Sequence, residues 1–250
     1  MLKQRFRLIG LVGLLSLILA GCGNISQAQS GNIADLPTAP PAPTAEPFVE
    51  PVIPDAPQAA APSKAPVKYS DSFDKQSSDW QVLDIWNNGS EPSTWSVKNK
   101  KLHQVSGLDG NVSHNPTAFT TGDAAWTDYT IQAQAYSIDN NIMGLVGRVN
   151  DDGYYALVMR QQGAEGGKLL TLQRYNASTE TFELLATSEA FGWQPKTWYT
   201  LQLSFSGNTI TASVNGQQVL SATDSTFTKG RAGVYGYGES NLVFDNFIVQ

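Results

Sequence analysis

One cysteine and two histidines in 250 residues leave little for thiol or transition-metal chemistry. Cys22 stands alone near the N-terminus, so the remaining chain has no disulfide and no cysteine metal site, and its stability must come from burial. His103 and His114 fall in no H-x-H or H-E-x-x-H spacing, which removes the usual zinc motifs. Basic residues are few: 16 Lys and Arg against 22 Asp and Glu give a net charge of −6. They form no cluster, which argues against nucleic acid and anionic lipid headgroups as partners. No serine sits in a G-x-S-x-G elbow. No stretch of helical periodicity lasts three turns. The one long apolar run, Leu8 to Ala20, is shorter than the roughly 20 residues that span a bilayer.

That run follows Lys3, Arg5 and Arg7, the arrangement of a signal peptide over residues 1–21. The sequence Leu19-Ala20-Gly21-Cys22 resembles the lipobox of bacterial lipoproteins. By that resemblance Cys22 is acylated (a palmitate-type anchor), becomes the first mature residue, and holds the protein at the exported face of a bacterial cell envelope by lipid alone. The alternative is a secretory signal followed by an incidental cysteine. Residues 22–67 then read as a tether. Of the 13 prolines only Pro92, Pro116 and Pro195 lie outside 37–66, and such a segment is too poor in apolar residues to fold. It is expected to be disordered and extended, with a proline-type peptide ligand as the sharper alternative.

From 68 to 250 the composition changes. All 6 tryptophans lie there and glycine recurs at turn spacing. Period-two alternation dominates: in 127–138, Tyr129, Ile131, Ala133 and Ala135 share one face, and Thr130, Gln132, Gln134 and Tyr136 the other. Residues 198–222 read as three strands joined at Ser206-Gly207-Asn208 and at Asn215-Gly216, the latter a strong hairpin signal. GRAGVYGYG and NLVFDNFIVQ supply the last two strands. About a dozen short strands in one domain of this size predict an all-β, two-sheet antiparallel sandwich.

The order of features SDSFDKQSSDWQV, TWSVKNKKLHQV, WTDYTIQAQA, GLVGRVNDDGYYALVM, LLTLQRYN, KTWYTLQLSFSGNTITASVNGQQV and GRAGVYGYGESNLVFDNFIV resembles the concanavalin A-like lectin/glucanase jelly roll. The resemblance is to its laminin G-like branch, which includes the 3-keto-disaccharide hydrolase domains, and it covers nearly all of 68–250. It implies a jelly-roll fold and carbohydrate as partner. Laminarinase-type members carry Glu-x-Asp-x-(x)-Glu on one strand, with the outer acids as nucleophile and acid/base. That motif is lacking: Glu180, Glu183 and Glu189 do not share a face. The resemblance also implies a structural ion where first and last strands meet. Asp74 and Asp245 offer hard oxygens for Ca²⁺ there, the alternative being solvated edge residues or turn caps.

The hairpin GLVGRVNDDGYYALVMR (144–160) carries the candidate ligand site. With 150–153 as the loop, Val149 faces Tyr154 and Arg148 faces Tyr155. The Val149, Gly147 and Leu145 face reads as core, and the resemblance makes the Arg148–Tyr155 face concave. Arg174 and one of Tyr235 and Tyr237 are expected to join it, with Trp126 and Trp193 as loop candidates. Aromatic rings and an arginine fork suit a sugar. The bland alternative is an exposed Arg–Tyr cross-strand pair that binds nothing. Three functions are therefore carried: a non-catalytic carbohydrate-binding domain, a glycoside hydrolase of the 3-keto-disaccharide type using Asp128 or Asp152 with Arg148, and a structural or protein-interaction domain.

Overall fold

Alternation sorts the side chains into faces, and in the computed structural model those faces pair into two antiparallel sheets. The structure describes residues 52–58, 65–85, 92–106, 116–138, 142–161, 169–189, 192–237 and 242–250. The signal segment, Cys22, most of the tether and His114 lie outside the described residues. Every regular element among the described residues is a strand, and there are 15 of them.

The first sheet runs in the order β13 (Gln217–Thr223), β12 (Thr209–Val214), β11 (Tyr199–Ser206), β6 (Tyr129–Ser137), β15 (Leu242–Val249), β4 (Lys101–Ser106) and β3 (Thr94–Lys98), with the short β1 (Tyr69–Asp71) also on β15. The second runs β10 (Thr181–Ser188), β9 (Leu170–Asn176), β8 (Gly153–Met159), β7 (Ile142–Asn150), β14 (Arg231–Tyr237), β5 (Thr117–Thr121) and β2 (Gln81–Asp84). Sequence neighbours alternate between sheets often enough to give a jelly-roll sandwich. The β12–β13 turn is the expected Asn215-Gly216, with φ of 50° and 80°, the pair of positive values a two-residue hairpin requires.

Between the sheets lies one apolar layer. Ile131, Ala133, Ala135, Leu201, Leu203 and Phe244 of the first sheet meet Leu145, Leu157, Leu172 and Val234 of the second, all fully buried. An aromatic stack closes one end: Trp80 and Trp95 lie against opposite sides of the Phe119 position, at 5.1 and 5.5 Å between centroids and nearly parallel to it. Trp80 Nε1 donates to Asp71 Oδ2 at 2.9 Å, so β1 is tied to the loop before β2. Each such large side chain contributes on the order of 1.5–3 kcal/mol through burial. This layer is what replaces disulfides.

A second apolar cluster sits on the opposite, outer face of the second sheet. Ile85, Ala118, Val146, Val149, Tyr154, Ala156, Val158, Tyr175 and Tyr235 form it. The outer face of the first sheet is different in kind: Gln132, Gln134, Tyr136 and Lys101 are buried there, and residues 52–58 run beside them. The segment expected to be a free tether therefore engages the domain ahead of β1.

Candidate functional site

The hairpin of β7 and β8 is the place to start, because a single irregularity there reverses the faces of β8. Gly147 pairs with Tyr155 and Asn150 with Gly153, so the turn is Asp151-Asp152, and Arg148 and Val149 bulge between the two pairs. Arg148 has φ 49°, a left-handed conformation unusual for a non-glycine residue. The bulge shifts the register by one relative to the expected Arg148–Tyr155 pairing. One step reverses inside and outside. On β7, Leu145 and Gly147 face the other sheet and Val146 faces outward, as expected. On β8, Tyr155 and Leu157 face inward and Tyr154 and Ala156 outward, and Val149 joins the outer face, the reverse of the expected assignment.

Arg148 and Tyr155 consequently do not form an open sugar-binding face. Arg148 is 1% exposed. Its guanidinium donates to the Thr127 carbonyl from Nε (3.1 Å) and Nη2 (3.0 Å), to Phe227 O from Nη1 (3.0 Å) and to Gly207 O from Nη2 (2.7 Å). It lies 4.9 Å over the Phe205 ring, with Asp128 3.8 Å away. Its own N–H donates to Tyr129 Oη at 2.5 Å, and that hydroxyl donates toward the carbonyls of Gly230 and Arg231. A fork that bonds three loops through four of its five N–H groups is a clamp. At this burial it does not face a ligand.

Tyr155 and Arg174 do come together, through Asp224. The Tyr155 hydroxyl donates to Asp224 Oδ1 at 2.5 Å and accepts from Phe227 N–H at 3.0 Å. Arg174, opposite Tyr155 on β9, is bonded to Asp224, Thr226 and Glu183. Burial and the neighbouring carboxylate push Tyr155 up to about 12. Burial raises Asp224, but bonds from Tyr155 and Thr226 and the Arg174 charge outweigh it and hold the carboxyl below its ordinary value. The group is internally satisfied. Trp126 is half-buried over Gly122 and the Tyr129 ring, and Trp193 is fully buried in the core.

The other expected site residues have partners of their own. Asp128 Oδ1 accepts from Gly207 N–H at 2.6 Å, and Asp152 lies in the exposed turn, so neither acid is set beside an available arginine. Asp74 accepts from Ser72 Oγ and stands 3.6 Å from Lys100. Asp245, on β15, caps Asn246 N–H at 2.7 Å; burial raises its carboxyl, with Lys101 opposing and Asp55 and Asp74 adding. Among the described residues no three His, Cys, Asp or Glu side chains gather around a possible metal position.

What the structure assembles instead is a trough of about 300 Å³ on the outer face of the second sheet. It is lined by Tyr154, Tyr175, Arg231, Gln81, Asn150 and Ile85, with smaller neighbours, and draws on six strands in all. The tyrosine rings pack 5.1 Å apart at 31° and form an apolar wall. Burial is the largest cause of the raised pKa of Tyr154, with Tyr235 and Tyr175 adding. Its hydroxyl is buried and has no hydrogen-bond partner among the described residues. Arg231 is bonded through Nη1 to Gln81 Oε1, while its Nε is likewise buried and unpartnered. An orphaned buried polar group costs about 1–3 kcal/mol, so two beside one cavity call for an explanation. Tyr235, expected among the ligand residues, belongs to this cluster. A wider depression lies past the β7–β8 turn, sharing Asn150 and bordered by Asp123, Asp152 and Lys229.

Three solved structures place the fold. A carbohydrate binding module CBM66 from Bacillus subtilis is 15% identical with a TM-score of 0.54, over 71% of this chain and 99% of that one. A Bacillus subtilis protein of unknown function with a galectin-like fold is 15% identical with a TM-score of 0.57, over 75% and 97%. A beta-1,3-glucanase from Mycobacterium marinum is 10% identical with a TM-score of 0.51, over 75% and 100%. At these identities the likeness is one of fold. No curated protein matches the sequence. A family model does match, over residues 69–250, nearly the whole sandwich. The chain therefore belongs to the 3-keto-alpha-glucoside-1,2-lyase-like domain family.

Proposed function

We propose that the sandwich is a carbohydrate-binding domain whose ligand lies in the trough on the outer face of the second sheet, bound without catalysis. The observation that carries this reading is the pair of buried, unpartnered polar groups, the Tyr154 hydroxyl and Arg231 Nε, beside a cavity walled by tyrosine rings. A sugar offers what both lack: hydroxyls that accept from the guanidinium and pair with the phenol, and a C–H face that packs on aromatic rings. A volume of about 300 Å³ is at the lower end of ligand pockets and suits one or two sugar rings. The depression beyond Asn150 would take the next residues of a polymer. Membership of the family and the folds of the carbohydrate binding module and the glucanase support sugar as the ligand class.

The second reading, an enzyme acting on 3-keto-glycosides, is favoured by the family's lyase-like description. The two are separated in one experiment. The protein is run through gels containing neutral and acidic polysaccharides, and incubated with chromogenic glycosides and 3-keto-disaccharides. Retardation by at least one polysaccharide, lost in Arg231→Ala, with no turnover, is the expected result. Turnover abolished by Arg231→Ala would move the function to catalysis. No retardation by any glycan would remove the proposal.

The same proposal includes display from the envelope by a lipid on Cys22. Incorporation of a palmitate analogue into the wild-type chain, absent in Cys22→Ser, is expected; equal labelling of both would contradict it.

A further inference from the structure

The outer face of the first sheet carries a second recognition surface, independent of the sugar reading, and a segment of the chain itself is seated on it. Residues 52–58 read VIPDAPQ, two prolines bracketing one acid. Three side chains of the sheet grip this segment. Trp198 Nε1 donates to the Pro54 carbonyl at 3.1 Å. Lys101 Nζ contacts Asp55 Oδ1 at 2.9 Å. Gln134 Nε2 donates to the Pro57 carbonyl at 2.6 Å, its own oxygen held by Asn246 Nδ2 at 2.6 Å. Trp198 is braced on Tyr136, ring centroids 5.1 Å apart. Ile53 and Ala56 are half-buried, while Pro54, Asp55 and Pro57 stand outward.

The chemistry matches the way proline-rich ligands are read. An extended segment with no internal hydrogen bonds leaves its carbonyls free to accept, and an indole N–H between aromatic surfaces is a fitting donor. The sheet residues meet it through a polar row and an enclosed charge. Gln134 pairs with Thr200 on β11 and with Asp245 on β15, a polar row across three strands that alternation directs away from the core. Lys101 is 92% buried at its side chain although it lies on an outer face, and Asp55 is its ion-pair partner. A lysine so enclosed without a counter-charge is rare.

We propose that this face is a peptide-binding groove selective for an extended acidic segment bracketed by prolines, and that its resident ligand is the chain's own Val52–Gln58, which straps the tether to the domain. With the strap seated, the free tether ends near residue 51 rather than 66, which shortens its extended reach by about 45 Å. Only residues 59–64 separate the strap from the segment leading into β1, so its effective concentration at the groove is on the order of millimolar, and a competing peptide must exceed that.

The test uses the full-length chain and two strap variants, Asp55→Arg and Pro54→Gly with Pro57→Gly. All three positions are exposed, so the fold is expected to survive, as checked by an unchanged melting profile of the sandwich. The probe is a synthetic peptide of residues 50–60, read by the NMR resonance of the Trp198 indole N–H, assigned through Trp198→Phe. In the variants this resonance is expected to move from its wild-type position and to return as the peptide is added. Half-saturation should come at a peptide concentration about tenfold or more below that needed to perturb the wild type. Identical Trp198 resonances in wild type and variants would show that the strap is not bound and overturn the proposal. So would a peptide that leaves the variants' resonance unmoved, or a scrambled peptide that restores it equally well.

Discussion

Arg148 shows how one residue can look like a ligand group in sequence and serve as a clamp in structure. Four of its five N–H donors reach three loop carbonyls, and all of this happens at 1% exposure. Arg148→Ala should destabilise the domain by roughly 3 kcal/mol, because three loop carbonyls lose their partner and a cavity opens over Phe205. Urea denaturation measures it. Tyr154→Phe is expected to act in the opposite direction, raising stability by about 1 kcal/mol, since it deletes a hydroxyl that has no partner. The titratable residues carry opposite signs. Asp245 has a raised carboxyl, so its contribution is full below its unfolded value and lost as pH rises through its raised folded value; Asp245→Asn should raise the melting temperature at neutral pH. Asp224 has a lowered carboxyl, so its contribution is present above its unfolded value and fades as pH falls through the lowered one. Nothing in the sequence marks either environment, because the neighbours of Asp224 come from β8, β9 and the loop after β13.

At the scale of elements, alternation and turn chemistry were enough for most strands. Tyr129 to Tyr136 falls on the faces that period two assigns, and Asn215-Gly216 makes the turn its residues require. The β7–β8 hairpin is where this reasoning fails. A bulge at Arg148 and Val149 displaces one residue from the ladder, and no glycine marks it: the positive φ falls on an arginine. Alternation counted through that point inverts Val149 and the whole of β8, so Tyr154 reads as core and Tyr155 as surface. Gly147, just before the bulge, faces the other sheet as its parity predicts. A Cβ there would come within 2.3 Å of the Phe205 ring, so Gly147→Ala should cost more than about 1 kcal/mol and loosen the two sheets, measurable by urea denaturation.

The described residues form a sandwich with two different outer faces, a polar one beside residues 52–58 and an aromatic one beside the trough. The sandwich itself was legible because fold class rests on many strands, each with its own signal. The site was not, because the groups around it come from six strands in an order that only the topology brings together. The same holds for the junction of first and last strands. Asp74 and Asp245 are each placed near a lysine, and two carboxylates fall short of the six to eight oxygens calcium takes. An ion held by Asp74 and Asp245 would raise the melting temperature in calcium over that in chelator, and coincident profiles would remove it. The central claim, that the trough on the second sheet holds a sugar, is tested most directly by affinity electrophoresis in polysaccharide gels with wild type, Tyr154→Phe, Arg231→Ala and Arg148→Lys side by side. The account predicts that Tyr154→Phe and Arg231→Ala run unretarded while remaining folded, and that Arg148→Lys, though less stable, is retarded like wild type wherever it is folded. Retardation that survives in Tyr154→Phe and Arg231→Ala but disappears in folded Arg148→Lys would contradict it.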